Sequence, residues 1–232
     1  MRVGGFGGVA GLVRHLQDEG VTHVVDATHP FAARMSANAV AACAQAGVPL
    51  LALTREPWQP GPGDRWHTVA DLPAAAAALD GAPQRVLLAL GRMHLATFAV
   101  QPQHHYILRL VDAPDEPPPL PQHTIIVARG PFDEASDIAL MRAHRVDLVV
   151  CKNAGGSGAQ AKLQAARALG VPVLMVARPP LPARHEVRHV AEVLQWLDHG
   201  DGSRRDGSGR DGGEPDHGAT PAATSGGAER GV

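Results

Sequence analysis

The chain has only two lysines, Lys152 and Lys162, and both fall in one glycine-rich segment, KNAGGSGAQAK (152–162). All its other basic residues are Arg, in a chain carrying 21 Lys plus Arg against 23 Asp plus Glu. A sequence so heavy in Ala, Gly, Pro and Arg is typical of GC-rich coding, which drifts from Lys to Arg wherever either serves. Two lysines kept in one motif hint that an ammonium is needed there; chance is the other reading. The segment follows an apolar run of strand length and opens a helical one, the setting a phosphate-binding loop requires. Glycines let backbone N–H groups approach an anion closely, and the helix start adds partial positive charge. Lys152 and the three glycines, Gly155, Gly156 and Gly158, are therefore candidate anion contacts, with Lys162 left between a ligand role and the surface. The segment matches neither GxGxxG nor a Walker motif, and a turn that only permits tight strand-to-helix packing stays open as the alternative.

A second segment, DATHPFA (26–32), places Thr28 and His29 where the chain leaves a strand. Pro30 suits the first helical position, which puts Thr28 near the N-cap and His29 toward any crevice. A His there can hydrogen-bond a carboxylate or supply a proton; a capped helix with a solvent-facing His is the plainer reading. The opening GGFGG (4–8) offers a third close-approach site at Gly5, with Phe6 as an apolar wall. Metal binding has little support, since His104-His105 has no Cys, Asp or Glu at ligand spacing. There is no GxSxG elbow for a serine nucleophile. With 3% aromatic residues the chain lacks a stacking platform for nucleic acid.

The elements that must hold these residues alternate. Apolar runs of strand length lie at 22–26, 48–53, 85–90, 106–110, 124–128, 147–151 and 172–177, with helix candidates at 8–18, 32–46, 71–79, 133–144, 158–169 and 190–198. Several runs are apolar on both faces, as strands between two helix layers are. Gly47 and Gly170 each close a helical run and lead into Val-Pro and a strand. The fold class is therefore α/β, built of Rossmann-like, doubly wound and mainly parallel sheets. We expect two domains, 1–82 and 83–199, the first N-terminally incomplete. Residues 200–232, with no large apolar residue, are expected to form a disordered tail. The Pro-rich stretch 113–121 reads as a surface loop of the second domain.

In parallel sheets ligands bind beyond the carboxyl ends of the strands. Here those ends are followed by His29, Arg55, Arg92, Arg129, Lys152 and Arg178. If they line one crevice, its field is strongly positive although the net charge of the chain is −2. That suits a polyanion, because Arg forks carboxylates and phosphates; simple solvation of loops by Arg is the rival explanation. The balance of charge gives no reason to expect nucleic acid or a membrane as partner. No apolar run approaches the length of a membrane span, the N-terminus lacks the pattern of a signal peptide, and two cysteines fit a reducing cytoplasm.

Taken together, VGGFGG (3–8), VTHVVDATHPFAARMSANA (21–39), LLALTREPW (50–58), RVLLALGR (85–92), ARGPF (128–132) and the run 149–180 resemble the precorrin-6A reductase family of cobalamin biosynthesis, in its cobalt-free or cobalt-bound variants. The resemblance spans about 3–199. It implies two Rossmann-like domains with the active site between them, and NADPH as donor in reducing one double bond of the corrin precursor precorrin-6A to give precorrin-6B. It further implies that Lys152, Asn153, Gly155, Gly156 and Ser157 face cofactor phosphate, and that Gly5, Phe6, Thr28, His29, Arg92 and Arg129 lie toward the tetrapyrrole or nicotinamide. No proton donor is identified, no metal is expected, and a monomer is expected. Members of the family begin further upstream with a strand and a GGTxEA-type turn. The expectation is that Met1 marks a misplaced start, and that in-frame translation upstream reveals an apolar strand and that turn. Two rivals remain: a non-catalytic α/β module binding a phosphorylated or polycarboxylate ligand, and another nucleotide-dependent enzyme on the same scaffold.

Overall fold

The computed structural model describes residues 5–205. Among the described residues nine strands form two sheets in which every pairing is parallel. The smaller sheet has the order β1 (Val24–Asp26), β2 (Leu50–Leu53), β9 (Glu186–Val187). The larger runs β3 (Trp66–Val69), β8 (Val173–Val176), β7 (Leu148–Lys152), β4 (Arg85–Ala89), β5 (His105–Leu110), β6 (His123–Val127). The alternating α/β reading and all seven anticipated strands are present, each within two residues at either end.

Side-chain alternation along the larger sheet sorts its residues into two cores. Val86, Leu88, Tyr106, Leu108, Val150 and Leu174 face one layer, covered by α3 (Leu72–Ala77) and the 3₁₀ segment η1 (Arg92–Val100). Leu87, Ile107, Val149, Cys151 and Met175 face the other, covered by α4 (Glu134–Ala143) and α5 (Ala161–Leu169). In the smaller sheet α1 (Gly8–Asp18) and α2 (Ala33–Ala46) pack through Leu12, Leu16, Ala39 and Ala42 against Val24 and Leu50. On its other face α6 (Val190–Arg205) meets Leu51 through Val193.

Local chemistry fixes the helix ends. Gly47 and Gly170 close α2 and α5 in the left-handed conformation that a residue with a Cβ avoids. A capping box opens α4: the Asp133 carboxylate accepts from Ser136 N at 2.8 Å. Asp133→Ala should cost about 1 kcal/mol, the usual worth of such a cap, seen as a lower denaturant midpoint with an unchanged slope.

Sheet membership does not follow chain order. β3 and α3, which precede the division expected after residue 82, belong with the larger sheet, and β9 and α6 return to the smaller one. The chain thus crosses between the sheets twice, through 54–65 and through 177–185. WHTV and EV are too short and too polar to announce themselves as strands; tertiary pairing alone makes them so. Helix α6 runs to Arg205, past the point where the expected tail begins, and the rest of that stretch lies outside the described residues. Gly4 of the opening glycine cluster does also. No helix among the described residues is long and apolar enough to cross a membrane.

Candidate functional site

The two crossing segments meet the carboxyl ends of both sheets. The loop after β7 carries two consecutive left-handed glycines, Gly155 and Gly156. A Cβ on Gly155 would lie 2.2 Å from the Glu56 carbonyl oxygen and 2.4 Å from an Arg178 guanidinium nitrogen. One on Gly156 would lie 2.9 Å from Arg55 Cδ. These glycines are required because the 54–65 crossing lies directly upon them. Asn153 completes the joint: its Oδ1 accepts from Trp58 N at 2.8 Å, and its Nδ2 donates to Trp58 O at 3.0 Å. The Trp58 indole N–H donates to Gly156 O at 2.8 Å. From the second crossing, Arg178 donates to the carbonyls of Asn153 and Ala154 at 2.9 and 3.2 Å. The amide and carbonyl of Asn153 are thereby committed to the chain itself.

Around this joint four strand ends bring cations together. His29 follows β1, Arg55 follows β2, Lys152 ends β7 and Arg178 follows β8. Partial burial, then the charges of Lys152, Arg55 and Arg178, hold the His29 imidazole below its usual range. Lys152 Nζ lies 2.7 Å from His94 Nε2 and 4.9 Å from the centre of the Phe31 ring. Desolvation lowers the affinity of Lys152 for its proton. His94 is pushed down by burial and by the lysine charge. Among the described residues no carboxylate makes an ion pair with Lys152. This is a cationic recess in which Glu56 and Glu186 act on Arg178 but no carboxylate pairs with the lysine, suited to bind carboxylates.

Below it, Asp26 is buried and fully engaged. Its Oδ1 accepts from Thr28 N and Oγ1 at 3.0 and 2.7 Å, and its Oδ2 faces Arg184 at 2.6 Å. Burial pushes the carboxyl up, but hydrogen bonds from Ser36 and Thr28 and the Arg184 charge outweigh it and hold it below its usual range. The expected cap at Thr28 is corrected here. Helix α2 begins only at Ala33 with Ala32 as N-cap, because Pro30 and Phe31 form a turn closed by Ala32 N donating to His29 O at 2.7 Å. Thr28 is turned back to Asp26 instead.

A second feature lies where the strand order reverses, between β4 and β7. A cavity of about 280 Å³ is lined by Ala89 and Leu90 at the end of β4, and by Gly158, Ala159 and Lys162 after β7, with Arg109, Phe132 and Asp137 closing it. Asp137 pairs with Arg109 through Oδ1, and its buried Oδ2 has no hydrogen-bond partner. Arg109 stacks 3.8 Å over the Phe132 ring. Lys162 is buried, against the surface alternative left open for it. It donates to Ala159 O and sits 5.0 Å over the Trp58 ring, with desolvation favouring its neutral form. Among the described residues the amides of Gly155 through Ala159 have no intramolecular acceptor, so N–H groups remain available beside the cavity.

A model of the family described as Precorrin-6x reductase CbiJ/CobK matches residues 1–198. The precorrin-6A reductase of Rhodobacter capsulatus is 59% identical over 200 residues, covering 86% of this chain and 80% of that one. That of Rhodococcus erythropolis is 46% identical over 198 residues, covering 85% and 79%. A solved structure titled CobK precorrin-6A reductase superposes with a TM-score of 0.84 at 58% identity, covering 86% of this chain and 82% of that chain. The chain belongs to the precorrin-6x reductase CbiJ/CobK family. As an oxidoreductase of the CbiJ/CobK family acting on a corrin precursor, it must bind a large polyanion, and the cationic recess is chemically matched to one.

Not every residue singled out in the sequence reaches that recess. Arg92 lines a separate cavity with Met93 and the Pro-rich loop, and Arg129 is exposed and paired with Asp112. Gly5 and Phe6 border a third hollow with Arg34, Met35 and Asn38, where the Phe6 ring lies 5.0 Å from that of His15. Ser157 is exposed on the loop crest. The sequence reading missed His94, Arg109 and Asp137. Arg109 carries a signal, a cation inside the run YILRL, whereas nothing local marks His94 or Asp137.

Proposed function

We propose that the protein reduces precorrin-6A to precorrin-6B with NADPH, in the cytoplasm and as a monomer. The carrying observation is the cluster of His29, Arg55, Lys152 and Arg178, which joins strand ends of both sheets and has no carboxylate paired with its lysine. A corrin precursor fringed with acetates and propionates matches that recess. The cofactor fits the cavity at the strand-order reversal, the position favoured for nucleotides in such sheets. Its donors Arg109 and Lys162 and the unbonded amides of Gly155 through Ala159 suit phosphate. The unpartnered Asp137 Oδ2 suits a ribose hydroxyl or an amide N–H. When bound, NADPH supplies the hydride. The chain's residues hold and orient both partners, exclude water and provide the accompanying proton.

The test is thermal protection. NADPH at about 100 times its Kd should stabilise the folded protein by about 2.7 kcal/mol, read as a rise in Tm that grows with concentration. Asp137→Asn should reduce that rise. No shift with NADPH, but one with a nucleoside triphosphate, would favour a different nucleotide-dependent enzyme. NADPH oxidation on adding precorrin-6A is the direct assay.

A further inference from the structure

We propose that Lys152 is the catalytic acid of the reduction: its ammonium delivers the proton that accompanies the hydride, and His94 returns a proton to it. The inference rests on the reductase reading above and adds the group that completes its proton balance. Reducing the double bond needs a hydride at one carbon, here from a reduced nicotinamide nucleotide. The π pair then moves to the neighbouring carbon and takes a proton from Lys152 Nζ, forming the second C–H bond. Two electrons pass from nucleotide to substrate. The neutral amine left behind is reprotonated from solvent through the His94 imidazole.

Three observations support this assignment. Lys152 is the last residue of β7, a strand bordering the strand-order reversal, and its side chain lies on the η1 face of the sheet, with Nζ 2.7 Å from His94 Nε2 and the other strand-end cations close by. The residue type is telling in a chain that otherwise uses Arg: guanidinium would bind an anion as well, but it does not give up its proton near neutral pH. The only other lysine, Lys162, is buried and bonded to Ala159 O. Finally, the groups around Lys152 favour proton release. It lies against His94 from η1 and Phe31 from the loop after β1, partial burial disfavours its charged form, its charge and those of Arg55 and Arg178 all act on His29, and among the described residues no carboxylate pairs with it. His94 is half-buried, next to Met93, which is 86% exposed, so a proton has a short route in from water. His29 is the rival donor: its Nδ1 accepts from Phe31 N at 3.1 Å, leaving Nε2–H to donate.

Turnover of precorrin-6A by the wild-type full chain tests the reductase reading itself, and its absence removes both. Given turnover, K152R keeps the charge and should lose about 10²–10⁴-fold in kcat, the usual worth of a general acid, with KM little changed. The wild type should show an alkaline fall in kcat as the ammonium deprotonates, and K152R should lack it. A wild-type profile flat at alkaline pH overturns the proposal whatever the variants do, and so does K152R retaining kcat within about threefold. If H29Q removes the alkaline limb while K152R keeps it, His29 is the acid and the proposal falls. Without any ligand, NMR titration of the His94 ring should rise in K152M as the neighbouring charge is removed; an unmoved titration overturns the relay.

Discussion

Arg184→Met should destabilise the folded protein by about 3–5 kcal/mol, the cost of leaving one partner of a buried ion pair uncompensated. Arg184 and Asp26 are 6% and 3% exposed, and they tie the end of β1 to the second crossing 2.6 Å apart. Removing the guanidinium leaves Asp26 with its two Thr28 hydrogen bonds but no counter-charge. Equilibrium denaturation measures the loss. The effect carries a pH signature whose sign is set by the direction of the Asp26 shift. A carboxyl held below its ordinary value in the folded state stabilises that state fully above the unfolded value, and the contribution fades as pH falls through the folded one. Wild-type stability should therefore drop in the acid range below the usual Asp value of about 3.9, and that part of the drop should shrink in Arg184→Met. A variant with unchanged stability and unchanged acid response would show that the pair contributes nothing net.

Gly155→Ala should lower stability by about 1–3 kcal/mol and kcat/KM by about 10²-fold. Its φ of +69° already costs a residue with a Cβ about 1–2 kcal/mol. The new methyl meets backbone, the Glu56 carbonyl at 2.2 Å, which cannot turn aside as a side chain could. Either the first crossing lifts off the loop or the loop flattens. Both movements shift Arg55, Arg178 and the end of β7 relative to one another, and misplacement by about 1 Å is worth 10²-fold in rate. Melting temperature and steady-state kinetics on one preparation separate the two effects. Full activity in a destabilised variant would mean that the joint serves folding alone.

Much of this molecule was legible in its sequence. The strands of the larger sheet read clearly because they are apolar on both faces, and Gly47 and Gly170 announce the ends of their helices. The glycines at 155 and 156 were legible as a place of close approach. Their partner was not: it lies almost a hundred residues away, and no local pattern names it. Thr28 was misjudged because a Thr before a Pro looks like a cap, while an Asp two residues earlier competes for the same hydroxyl and wins. Convergence of strand-end cations was legible as a tendency and holds for His29, Arg55, Lys152 and Arg178. Arg92 and Arg129 diverge: Arg92 lines the hollow of the Pro-rich loop although His94 two residues on reaches Lys152, and Arg129 is drawn to Asp112. The oxidoreductase role came from segment resemblance, which fold physics alone does not supply.

The interleaved connectivity also bears on how the protein can be divided. Each half borrows a strand and a helix from across the chain, β3 and α3 in one direction, β9 and α6 in the other. A single peptide-bond cut therefore yields no two fragments that each own a complete sheet. Split-protein reporters or half-gene swaps between homologues would have to exchange three pieces at two junctions, and both junctions run through the walls of the cationic recess.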